Sequence, residues 1–149
     1  MSKRDCSIYL ITPASIDDPA AFASDLAAAL EAGPVACVQL RLKGASDGQI
    51  VAAAAALMPV CHEREVAFVI NDRADLAKTV DADGVHLGAD DGTIADAREL
   101  LGHDRSIGYT CKDSIHTGYD AGEAGADYVA FGAFYPTTTK ETNARPEAV

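Results

Sequence analysis

A chain of 149 residues is one domain's worth of sequence, and 48% hydrophobic with 23% charged residues marks an ordinary globular protein rather than a disordered or fibrous one. The net charge of -11 excludes a nucleic-acid surface, which needs a basic stripe, so any anion bound here must meet a local cationic cluster or a metal. The four cysteines, Cys6, Cys37, Cys61 and Cys111, contain no C-x-x-C pair and point to reduced thiols in a cytoplasmic protein, and the apolar run after Met1 to Asp5 is too short for a signal-peptide core or a membrane span.

The first strand is expected over Ser7 to Thr12, stopped by Pro13, and a helix follows with Asp18 as its cap, Pro19 in its first turn and Gly33-Pro34 as its stop. The second strand, Val35 to Leu40, turns polar only at its end. Gln39, Arg41 and Lys43 share one side of an extended segment, a donor-rich strip that matches a phosphate group as well as it matches a solvated strand end. Ser46 with Gln49 forms a capping-box pattern opening an alanine-rich helix through Val60. A third strand is expected over Ala67 to Ile70, a short helix over Asp72 to Val80, a fourth strand over Asp83 to Leu87, and a helix from Thr93 to near Gly102. Ser106 to Thr110 is the fifth strand, a helix from Asp113 or Ser114 to Gly125 follows, and Asp127 to Phe131 is the sixth. In the loop after it, Thr137, Thr138, Thr139 and Lys140 offer three hydroxyls and an ammonium to an anion, or serve as a plain polar linker.

Two apolar runs, Val69-Ile70-Asn71-Asp72 and Gly84-Val85-His86-Leu87 with Asp91 beyond it, end in carboxylates, as buried parallel strands do when they deliver acids to a sheet rim. Asp72 and Asp91 there can share a hard cation such as Mg²⁺, which completes its shell with water and substrate phosphates. For these two segments alone the simpler account, that both aspartates cap the following helices, is the stronger one. Strands alternating with helices imply βα units and a parallel sheet. Polar groups then gather at the carboxyl ends of five successive strands: Gln39, Arg41 and Lys43, then Asn71 and Asp72, then Asp91, then Thr110, then Thr137 to Lys140. Helix caps explain one or two such positions, and a site explains them all. His86 lies inside a strand and reads as a satisfied core histidine, while His62, His103 and His116 carry no pattern.

Gln39-Leu40-Arg41-Leu42-Lys43, Ile70-Asn71-Asp72, Gly84-Val85-His86-Leu87-Gly88 with Asp91, Gly125-Ala126-Asp127-Tyr128-Val129 and Pro136-Thr137-Thr138-Thr139-Lys140, in this order, resemble the thiamine-phosphate synthases, a TIM-barrel family. The resemblance implies a transferase that joins hydroxymethylpyrimidine pyrophosphate to thiazole phosphate and releases pyrophosphate. It implies that Gln39, Arg41, Lys43 and Asn71 hold the pyrophosphate, that Asp72 and Asp91 hold Mg²⁺, and that Lys140 contacts the leaving group. It places Thr137 and Thr139 along the thiazole phosphate, and Thr110 where the family often has a serine that touches pyrophosphate or pyrimidine.

A full TIM barrel has eight βα units in about 250 residues, and only about six are visible here. The expectation is a single barrel domain over residues 1–149, C-terminally incomplete, lacking strands seven and eight and the phosphate site of their loops. Unpaired edges on strands one and six would favour self-association. Two other readings remain: a thiazole tautomerase on the same barrel, which needs neither pyrophosphate nor metal, and an inactive phosphate-binding module with an open doubly wound sheet.

Overall fold

The computed structural model describes residues 6–138. Strands and helices alternate without exception: β1 (Ile8–Ile11), α1 (Pro19–Glu31), β2 (Val35–Leu40), α2 (Asp47–His62), β3 (Ala67–Asn71), α3 (Ala74–Val80), β4 (Gly84–Leu87), α4 (Ile94–Leu101), β5 (Ser106–Lys112), α5 (Ile115–Glu123) and β6 (Tyr128–Phe131). The helices start where local chemistry satisfies their first amides. The Asp18 carboxylate accepts from the N–H groups of Ala20 and Ala21, Ser46 and Gln49 form the full capping box, and Thr93 and Ser114 cap α4 and α5. The strand β5 runs two residues beyond its expected end, with a register shift between Thr110 and Lys112.

All six strands are parallel and adjoin in chain order, β1 to β6. A doubly wound sheet reverses its strand order at a switch point. There is no reversal here, which overturns the open doubly wound alternative. The sheet is also strongly curled: six strands laid flat would hold the outer two about 24 Å apart, yet the hydroxyls of Tyr9 on β1 and Tyr128 on β6 lie 2.7 Å from each other. The architecture is an α/β half-barrel of the TIM type, with six strands forming the arc.

Strand parity divides the side chains into two sets. Val38, Leu40, Phe68, Ile70, Val85, Leu87, Ile107 and Cys111 face the helices and pack with Leu26, Leu30, Ala53, Ala54, Leu57, Leu76 and Ala97 in one core. The alanines of α2 let that helix lie close to the sheet, and each fully buried Leu or Ile contributes about 1.5–3 kcal/mol. The opposite parity, the concave face of the arc, carries Tyr9, Gln39, His86, Thr110 and Tyr128, which touch one another across it. A barrel interior is ordinarily filled with branched aliphatic residues, so this polar lining marks a place built for something else.

The amino ends of the strands are fastened by repeated aspartate clasps. Asp83 accepts the Phe68 N–H at 2.7 Å and bonds His62, and Asp127 accepts the Ile107 N–H at 2.7 Å and the Arg98 guanidinium. Burial pushes the Asp127 carboxyl up, but the Ile107 N–H and Arg98 outweigh it and hold the group below its usual range. Within the described residues β1 and β6 each pair on one side only, and Ile8, Ile11 and Phe131 are exposed there.

Candidate active site

The carboxyl ends of the strands bring most of the expected residues to one rim. β2 ends at Leu40, so Gln39 is inside the sheet while Arg41 and Lys43 lie on the loop beyond it. That loop is tied to the one after β1: the Thr12 hydroxyl accepts the Arg41 N–H at 3.0 Å, and the Lys43 N–H donates to the Ala14 carbonyl at 2.8 Å. Asn71 closes β3 beside His86, and Asp72 follows it with its N–H on the His86 carbonyl at 2.8 Å.

Asp72 has φ 65°, a left-handed conformation that non-glycine residues adopt at a cost and that clusters at functional sites. The simpler account of the two aspartates, as helix caps, fails at both positions. The N-cap of α3 is Arg73, with no side-chain cap bond, and the N-cap of α4 is Thr93. Asp91 instead turns back and accepts the Gly88 N–H at 2.9 Å through Oδ2, holding its carboxylate over the end of β4. Two carboxylates thus sit at the ends of neighbouring strands. Among the described residues no group of three or more His, Cys, Asp or Glu side chains could cage a metal. Such a donor set does not suit a structural zinc site but fits a hard divalent cation that takes its remaining ligands from water and phosphate.

Below the rim lies the polar lining. Gln39 is 2% exposed, and its amide nitrogen donates to the Tyr9 hydroxyl at 3.0 Å. Tyr9 meets Tyr128 at 2.7 Å, Tyr128 meets His86 Nδ1 at 3.2 Å, and His86 Nε2 meets the Thr110 hydroxyl at 2.8 Å. One set of directions is consistent with all four contacts: Gln39 donates to Tyr9, Tyr9 to Tyr128, Tyr128 to Nδ1, and the Nε2–H to Thr110. His86 is satisfied, as the sequence indicates, but toward the concave interior rather than the aliphatic core. Gly108, opposite Tyr128 in the sheet, makes room: a Cβ there would fall 2.1 Å from the tyrosine ring.

Burial pushes the Tyr9 hydroxyl up to about 12, and burial together with Tyr9 raises Tyr128 further. Both stay protonated and the lining carries no tyrosinate charge at neutral pH. A raised folded-state value means that this stabilisation is complete below pH 10 and lost as pH climbs through about 12. The expected result is alkaline unfolding in that window with tyrosinate absorbance rising in step, delayed in the Tyr9→Phe variant, as circular dichroism and absorbance will show.

Tyr9 and Tyr128 were not among the expected site residues. The available signal was parity, since each adjoins an aliphatic residue that packs toward the helices, Leu10 and Val129. Thr137 is exposed in the loop after β6, whereas the expectations for Thr139 and Lys140 lie outside the described residues.

A family model described as thiamine monophosphate synthase matches residues 8–148. The chain belongs to that family. It is 57% identical over 145 residues to the thiamine-phosphate synthase of Rhodospirillum centenum, covering 96% of this chain and 70% of that one. It is 55% identical over 139 residues to the thiamine-phosphate synthase of Hyphomonas neptunium, covering 90% of this chain and 62% of that one. Among solved structures, the thiamine phosphate pyrophosphorylase from Pyrococcus furiosus superposes with a TM-score of 0.76 at 30% identity, covering 89% of this chain and 63% of that one. The chain therefore spans about two thirds of the length of these family members. Thiamine-phosphate synthases are transferases, and the six-stranded barrel arc agrees with the fold of the Pyrococcus furiosus structure. Among the described residues no helix is long and apolar enough to cross a membrane.

Proposed function

We propose that this chain carries the pyrimidine and pyrophosphate half of a thiamine-phosphate synthase site, in which a hydroxymethylpyrimidine pyrophosphate is attacked by the nitrogen of a thiazole phosphate and pyrophosphate leaves. The observation that carries the reading is the stacking of two levels in one concavity: a hydrogen-bonding lining of Tyr9, Gln39, His86 and Tyr128 beneath a rim bearing Arg41, Lys43, Asn71, Asp72 and Asp91. A flat, polar aromatic ring with a charged tail needs that order. Gln39, committed to Tyr9 and almost fully buried, belongs to the ring end, whereas Arg41, Lys43 and Asn71 address the pyrophosphate.

Mg²⁺, held by Asp72 and Asp91, would neutralise charge on the departing phosphate oxygens. Arg41 and Lys43 stabilise the same developing charge, more strongly in the transition state than before it. Thr110, whose hydroxyl meets His86 Nε2 at 2.8 Å, would contact the leaving group or the ring. Thr137, Thr139 and Lys140 would serve the thiazole phosphate and the leaving group. The thiazole nitrogen is already nucleophilic, so no activated serine or cysteine is required; burial raises the Cys37 thiol to about 11 and keeps it inert. The reading makes the chain cytoplasmic.

Titration calorimetry with inorganic pyrophosphate tests the assignment. Binding that requires Mg²⁺ supports the synthase site. Metal-independent binding contradicts it in favour of a simple phosphate module, and absence of binding contradicts it for this chain.

A further inference from the structure

Resting on that reading, we infer that Arg73 is a positioning residue that locks the loop after β2 to the loop after β3, so that Lys43 and Asp72 act on one anion in a fixed relation. Its guanidinium grips two carboxylates at once. Nε and Nη2 donate to Asp75 at 2.8 and 2.7 Å, and Nη1 and Nη2 donate to Asp47 at 2.9 and 3.2 Å. Asp47 opens α2, directly after the Arg41 to Lys43 loop, and Arg73 follows Asp72 in the chain. The Asp47 fork is thus a bridge between the two loops, and the Asp75 fork holds the guanidinium in the plane that makes the bridge.

Helix chemistry does not account for the residue. Arg73 occupies the N-cap of α3 without capping it, at the helix end where the dipole disfavours a cation and Ser, Thr, Asp or Asn would serve better. A local rule broken beside a left-handed Asp72 at φ 65° is the pattern of a site that sacrifices local preference for geometry. The pairs are solvent-exposed, and isolated exposed pairs contribute little to stability. Their effect is expected in loop placement rather than in global unfolding.

Three substitutions in this chain separate the roles. Asp47→Asn takes the charge and one of the two acceptors from the bridge, Asp75→Ala removes only the brace within α3, and Arg73→Ala removes both. Hydrogen exchange is expected to rise in residues 41–47 and 71–74 together for Arg73→Ala and Asp47→Asn, with an unchanged thermal midpoint and little change for Asp75→Ala. Exchange rising only around residues 73–75 would overturn the bridge. In calorimetry with Mg²⁺ and pyrophosphate, the same two variants should lose about tenfold in affinity, and Arg73→Lys should recover only part of it. Unchanged affinity would overturn the positioning role. Failure of the unsubstituted chain to bind pyrophosphate would refute the synthase reading and that role with it, whereas the exchange result still decides whether the bridge exists.

Discussion

Asp72→Asn is expected to abolish Mg²⁺-dependent pyrophosphate binding and to lower turnover by about 10²–10³-fold while leaving the fold intact. Asparagine is the informative replacement. It tolerates the left-handed conformation that Asp72 adopts at φ 65° almost as well as aspartate does, and it is an equally good helix cap. An alanine there would add a backbone penalty of about 1–2 kcal/mol and mix folding with chemistry. If Asp72 served the helix, Asp72→Asn would be silent. Only the loss of a negative oxygen at the rim gives a variant that is stable but inactive. Asp91→Asn should behave similarly, since the amide keeps an oxygen for the Gly88 N–H and loses the charge. Thermal unfolding beside calorimetry separates the outcomes.

Gly108→Ala is expected to do the reverse, disturbing the interior before it touches the rim. The added Cβ would lie 2.1 Å from the Tyr128 ring and 2.4 Å from its hydroxyl oxygen, on a strand held between β4 and β6. The ring must move, at a cost of about 1–3 kcal/mol for an overpacked interior. Its displacement breaks the contacts to Tyr9 and His86, so Thr110 loses its orientation. The variant should bind pyrophosphate with Mg²⁺ nearly as well as the parent and bind the pyrimidine pyrophosphate much less tightly. The double variant Gly108→Ala, Tyr128→Ala removes the clash, so its stability loss should be smaller than the sum of the single losses. Additive losses would mean that the ring and the glycine are not coupled.

The order of elements could be read from the sequence because each boundary has a local cause: Asp18 before Pro19, the Ser46 and Gln49 pair, and Thr93 and Ser114 before their helices. The aliphatic strand faces and the carboxyl-end clustering of polar residues followed from parity and alternation. The aspartates could not be resolved that way. An aspartate after a strand looks the same in sequence whether or not it caps a helix, and only the observed caps, Arg73 and Thr93, show that neither aspartate does. The interior network was less legible still. Tyr9 and Tyr128 are 119 residues apart in sequence, and their meeting depends on the curl of the whole sheet. Alternation puts Gln39 in one donor strip with Arg41 and Lys43, and it gives no sign that the Gln39 amide donates to the Tyr9 hydroxyl.

The most direct test is formation of thiamine phosphate from hydroxymethylpyrimidine pyrophosphate and thiazole phosphate with Mg²⁺. It should be run with this chain and with a version extended by the two further βα units of a full barrel, each beside its Asp72→Asn variant. The proposed function predicts product from the extended protein, lost on Asp72→Asn, with the 149-residue chain binding pyrophosphate whether or not it turns over. An extended, folded protein that binds both substrates and forms no product would contradict it.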